Sequence, residues 1–377
     1  MTSTQSTAAN VVAPRQPRIT AINLVRLFVI SLVISTHIAA SGPLYNSYFA
    51  GGVWIISHVS RLLFVALTAI VLTYNYGPDR PFKVKSFYLK RFYLIFLPYA
   101  TWSLLYQIQD GVVQSSLGDF IRVYLFDLVT AQAMYHLYFL LVSMQIYLLF
   151  PLLRYFYDKV RHRPAQLFTV SLLLQLLITS LLQYVKPVPG LEWYWQHPEN
   201  YIWTYQFYIV CGMLVATHIT ALAAQLKRHF KGIKWATIMA TFMSLALYVF
   251  ETHMGLEPNV AAAVYQPFLV LTSIVYGLFV FALGFRWVQS GERFAPWIDS
   301  IAEDSFGIYL SHPFVILLLS RVQPNHNDIF TGILILSVGL PIVYLSAFVF
   351  SELARRTPLS LLLTGRRRVP ITLLKRY

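Results

Sequence analysis

Two residues in the apolar stretch NLVRLFVISLVISTHIAAS (23–41) are able to do chemistry, Arg26 and His37. On a helix, eleven positions at ~100° each return to within about 20° of the same face, roughly 16 Å further along the axis. Asn23, Ile30 and Ile34 complete the same stripe at i+3/i+4 spacing. A neutral histidine takes a proton from a hydroxyl, and the planar fork of an arginine clamps phosphate or pyrophosphate. Ionisable groups inside an apolar span point to function by default. The plain alternatives are an Arg26 that snorkels to the headgroups and a His37 that serves packing. Their common stripe favours a shared polar channel over two unrelated accidents.

Further candidates follow the same logic. His58 and Arg61 stand three apart in WIISHVSRLLFVALTAIVL, with Arg61 deep enough to require a partner. In IAEDSFGIYLSHPFVILLL, Ser305 and His312 share a face with Tyr309 alongside, and Pro313 is expected to free a carbonyl nearby. Lys85, Lys90 and Arg91 in KSFYLKRFYLIFLPY are either a phosphate-binding rim or ordinary positive charge flanking a span. His136 opens a later span, at its outer surface. Trp193 and Trp195, in the aromatic stretch YVKPVPGLEWYWQHPENYIWTYQFY, belong to an interfacial belt or a platform on which sugar rings stack.

The elements that must position these residues are membrane helices. Of the 377 residues, 57% are hydrophobic and 12% charged, about half the charged share of a soluble domain. Apolar runs of spanning length recur throughout. They predict an all-α polytopic protein of about ten spans, near 19–40, 53–75, 92–108, 136–154, 164–184, 202–224, 233–251, 265–287, 302–321 and 329–352. The first is longer than the hydrophobic region of a signal peptide, so it reads as a retained span.

Alternate connections are basic (Arg80 to Arg91, Arg154 to Arg163, Lys227 to Lys234, and the tail after 353) or mainly acidic (Asp110, Asp119, Asp127, Glu192, Glu199, Glu251, Glu257, Asp328). The positive-inside rule then puts both termini in the cytosol. The reading is a cytoplasmic tail over 1–18, disordered, a membrane domain over 19–353 and a basic cytoplasmic tail over 354–377. SLGDFIRVYLFDLV, within the long outer connection 109–135, is expected to form an interfacial helix.

The net charge of +14 is assigned to topology and anionic lipid rather than nucleic acid, which needs a basic patch on a soluble fold. The single cysteine, Cys211, excludes an intramolecular disulfide. No phosphate loop, GxGxxG, HExxH or Cys/His metal spacing occurs, so no metal site is expected.

Four segments in order resemble the acyltransferase 3 family of integral-membrane enzymes. They are Arg26 and His37 with ten residues between them, FYLKRFYLIFLPYATWSLLY, HLYFLLVSMQIYLLFPLLR, and SFGIYLSHPFVILLL. The chain looks most like the branch containing the intercellular-adhesin exopolysaccharide protein. It departs from the family at Val65, where proline is frequent, at Val71 and Leu72, where Ser-Gly is frequent, and at Leu94, where a second arginine is frequent.

The resemblance implies a bacterial cytoplasmic-membrane O-acyltransferase that moves acetyl or succinyl from cytosolic acyl-CoA to a hydroxyl of an extracytoplasmic glycan. No permanently bound cofactor is implied. His37 is then the catalytic residue, with Arg26, Arg61, Lys90 and Arg91 on the phosphates of CoA. His136, Tyr309, His312, Trp193 and Trp195 would meet the acceptor. A polysaccharide synthase is a candidate partner. The competing readings are a polysaccharide exporter or flippase without chemistry, and a structural partner of a synthase.

Overall fold

The computed structural model describes residues 20–45, 47–111, 116–291, 294–322, 326 and 328–368. The tail expected over 1–18 and the last nine residues lie outside them.

Polar groups of the backbone have no water to bond in hydrocarbon, so the apolar runs close their bonds internally as helices. The chain opens with α1 (Ala21–Ala39), then α2 (Tyr48–Ser57) and α3 (Val59–Tyr76), which break lightly at His58. After α4 (Val84–Arg91) comes one wide π turn, Phe92–Phe96, and then α5 (Leu97–Gln109) with Pro98 in its first turn. The helix expected over SLGDFIRVYLFDLV is present as α6 (Leu117–Thr130). The side chain of Ser116 caps it, and the hydroxyls of Tyr99 and Tyr124 tie α5 to it.

The second half holds α7 (Tyr138–Val160), α8 (Pro164–Tyr184) and the short α9 (Glu192–Gln196). These are followed by α10 (Gln206–Thr217), α11 (Ile219–Arg228), α12 (Phe230–His253) and α13 (Pro258–Ala261). The chain continues through α14 (Pro267–Gln289), α15 (Ala295–Ser320), α16 (Ile329–Ala354) and α17 (Ser360–Thr364).

Every expected span has a helix at its place. Seven, by length and composition, can cross a membrane among the described residues: α1, α2 with α3, α7, α8, α12, α14 and α16. A broken eighth is formed if α10 and α11, bent by 91°, act together. The expected spans at 92–108 and 302–321 do not meet that measure. α5 alone is 13 residues, and α15 carries Asp299, Glu303, Asp304, Ser311 and His312 along its length.

α1, α2–α3 and α14 are the most enclosed, with half or more of each apolar window buried, whereas α8, α12 and α16 bury under a quarter. Leu173, Phe242 and Leu345 are among the exposed apolar side chains on those outer helices, as lipid contact requires. α1, which carries the Arg26–His37 stripe, packs against α15, α14, α16, α2 and α3.

The segment read as a basic tail folds back instead of leaving the bundle. Arg355 pairs with the buried Asp304 at 2.8 Å, Arg366 with Glu303 at 3.2 Å, and the Trp102 indole donates to the Leu363 carbonyl at 3.0 Å. Gly365 makes the turn possible. Its φ is +62°, and a Cβ there would lie 2.3 Å from the Leu94 carbonyl oxygen.

Candidate functional site

Three spaces with shared walls lie along the α1 stripe. At the acidic end of the bundle, a cavity of about 580 Å³ is lined by His37, His58, Arg61, Tyr135 and Tyr138, with Gly42, Tyr45 and Asn259 also on its wall. That size falls in the range of small-molecule sites, about 300–1,000 Å³. Below it a chamber of about 30 Å³ is walled by His37, His58, Arg61, His136, Phe64, Phe139 and Tyr309. At the basic end a third cavity, about 270 Å³, is lined by Arg26, Arg91, Arg366, Ser143, Tyr147 and Ser305, with Glu303. Phe64 and Phe139 line both the small chamber and the basic cavity.

The histidines come from four helical segments. The ring of His37, near the end of α1, lies tilted 4.6 Å from the Tyr135 ring and 5.3 Å from the His312 ring. His136, just before α7, is buried among Tyr106, Tyr309 and His312. It is therefore not at the outer surface where the sequence reading put it. His58 sits at the α2–α3 break, where its Nδ1 meets the Ala262 carbonyl at 3.0 Å and its ring stacks on Trp54.

Pro313 lacks an N–H, so the carbonyl four residues earlier loses its helical partner. That carbonyl belongs to Tyr309, and the Nδ1 of His312 donates to it at 2.7 Å. The Tyr309 hydroxyl in turn donates to the His136 carbonyl and locks α15 to the start of α7.

Arg61 finds its partner on the acidic side. Its guanidinium lies over the Tyr138 ring, 4.7 Å from the ring centre, with the Tyr205 hydroxyl and the Glu199 carboxylate near enough to act on its charge. Behind them, Tyr205 donates to the Glu199 carbonyl and Tyr265 to its carboxylate at 2.7 Å. The Glu199 charge thus balances Arg61 through a shell of tyrosines. Among the described residues, no group of histidine, cysteine or carboxylate side chains converges as a metal site.

The structure groups the candidates differently from the sequence reading. Arg26 and Arg91 share the basic cavity, but Arg61 lines the histidine chamber with His37. Lys90 is exposed and absent from the walls of these cavities. Trp193 and Trp195 form an aromatic cluster with Tyr194, Tyr201 and Trp203, again apart from the walls around His37. Arg366, Phe64, Phe139 and Tyr135 were not foreseen. Only the basic character of the tail hinted at Arg366.

Residues 19–352 match the acyltransferase 3 family, described as an acyltransferase domain. The chain belongs to that family. Comparisons with curated proteins and with solved structures gave no match. This acyltransferase 3 protein is thus a multi-pass membrane acyltransferase. The Arg26–His37 pair, both within the matched region, runs from its basic cavity to its histidine-lined cavity.

Proposed function

We propose that the protein is an O-acyltransferase of the bacterial cytoplasmic membrane, carrying acetyl or succinyl from cytosolic acyl-CoA to a hydroxyl of a cell-surface glycan. One observation carries the reading. A cavity bearing three arginines at the basic end and a histidine-lined cavity at the acidic end approach each other at Phe64 and Phe139. Positive-inside orientation turns the arginine cavity toward the cytosol, where CoA is found.

In this reading Arg26, Arg91 and Arg366 hold the donor's phosphates through charge-assisted bonds. The acceptor hydroxyl enters the 580 Å³ cavity and gives its proton to His37. Its oxygen forms a bond to the thioester carbonyl carbon, and Arg61, in the same chamber, offsets the negative charge on the tetrahedral oxygen. The C–S bond then breaks, and the thiolate takes the proton from His37. Ester and free CoA are the products, and the proton count closes.

The resemblance to the exopolysaccharide-protein branch supports a polysaccharide acceptor, with a polysaccharide synthase as the natural partner. His37→Ala separates this reading from export. Unmodified glycan reaching the surface supports the transferase; glycan retained inside the cell supports an exporter.

A further inference from the structure

The rings of Phe64, on α3, and Phe139, on α7, stand between the arginine cavity and the histidine chamber with their centres 5.4 Å apart and tilted by 46°. Tyr309 closes the third side, 5.9 Å from Phe139 and 6.4 Å from Phe64. Its hydroxyl is tied to the His136 carbonyl, whereas the two phenylalanine rings have no polar group to anchor them. The chamber beyond, at about 30 Å³, has room for two or three waters. An acyl group reaching His37 from the arginine side has to turn the phenylalanine rings aside and then fit that chamber.

Resting on the acyl-CoA reading above, we propose that Phe64 and Phe139 form a steric and desolvating gate that selects short, uncharged acyl groups, acetyl rather than succinyl. The size of the chamber sets the length limit. The apolar ring edges set the charge limit, because a carboxylate passing between them loses its hydration with nothing in return until it reaches Arg61. Nothing in this selection involves bond making. The gate acts before the hydroxyl attacks, by deciding which thioesters arrive.

The test uses inside-out membrane vesicles that carry the full-length protein and the endogenous glycan. They are supplied with radiolabelled acetyl-, butyryl- or succinyl-CoA, and label in the glycan is counted. The wild type is expected to use acetyl-CoA at least tenfold better, as kcat/KM, than either of the others. Phe64→Ala and Phe139→Ala are expected to narrow the acetyl-to-butyryl ratio at least fivefold. Phe139→Leu, which keeps an apolar side chain and so protects folding, should narrow it in the same direction. A wild type that uses succinyl-CoA as well as acetyl-CoA overturns the gate, and so do active variants with an unchanged ratio. A wild type that labels glycan from none of the three donors overturns the acyl-CoA reading itself, and the gate falls with it.

Discussion

The Nδ1 of His312 donates to the carbonyl of Tyr309 at 2.7 Å. A carbonyl only accepts, so Nδ1 carries the proton and Nε2 keeps its lone pair. That Nε2 is buried without a hydrogen-bond partner, on a ring 5.3 Å from His37 and 5.3 Å from His136. The tautomer is set by the backbone bond that Pro313 leaves unmade, so a helix irregularity becomes a chemical preference.

His312→Asn isolates the ring. Its amide can still donate to Tyr309 but offers no imidazole lone pair behind His37. We expect kcat to fall about tenfold, within the range of proton-handling contributions, with the donor KM unchanged. Steady-state kinetics in membranes check this, and an unaltered kcat would reduce His312 to packing.

The arginine cavity predicts a different pattern. Arg26→Ala, Arg91→Ala and Arg366→Ala are each expected to raise the acyl-CoA KM about ten- to a hundredfold, the loss of one charge-assisted bond of ~1.5–3 kcal/mol. Lys90→Ala, exposed and outside these walls, should leave KM within about twofold. Equal effects at Lys90 and Arg366 would contradict the assignment of the cavity.

Gly365 links the folded-back segment to that same site. Alanine at φ +62° is strained, and its Cβ would press on the Leu94 carbonyl and the Phe306 ring. Gly365→Ala should therefore reproduce much of the Arg366→Ala rise in KM while the rest of the bundle stays folded. Limited proteolysis after residue 354 reads the loosening directly.

These relationships mark where sequence reading succeeds. The stripe from Arg26 to His37 follows from helical period alone, and both ends face cavities. The carbonyl freed at Pro313 follows from proline's missing donor. Helix positions follow from the apolar runs, because hydrocarbon permits little else. The sides taken by Arg61 and Arg366 were not legible. Arg61 lies midway along the α2–α3 span, Tyr48–Tyr76, and only the tyrosines and Glu199 brought in by later segments draw it to the histidines. Arg366 arrives through a turn that depends on Gly365. Phe64 and Phe139 resemble lipid-facing residues in the sequence, and only their shared walls distinguish them.

Outside the membrane, Asp79 gives a pH prediction. Arg161 donates to its carboxylate and holds its pKa below the usual carboxylate value. A depressed folded-state pKa stabilises the protein above the ordinary carboxylate range, and that stability is lost as pH falls through it. Asp79 is exposed and Arg161 partly so, so the effect is small. Thermal unfolding between pH 6 and pH 3 should show Asp79→Asn slightly less stable at pH 6, with the difference from the wild type closing toward pH 3. A difference that widened on acidification would contradict the ion pair.

The central claim is that the protein, with His37 as the base, moves an acyl group from cytosolic acyl-CoA to an outer glycan. Its most direct test is mass spectrometry of the surface glycan from cells carrying the wild type, His37→Ala, or no copy. The account predicts ester-linked acyl groups with the wild type alone, and similar amounts of surface glycan in all three. Glycan acylated equally in all three, or absent from the surface when His37 is replaced, would contradict it.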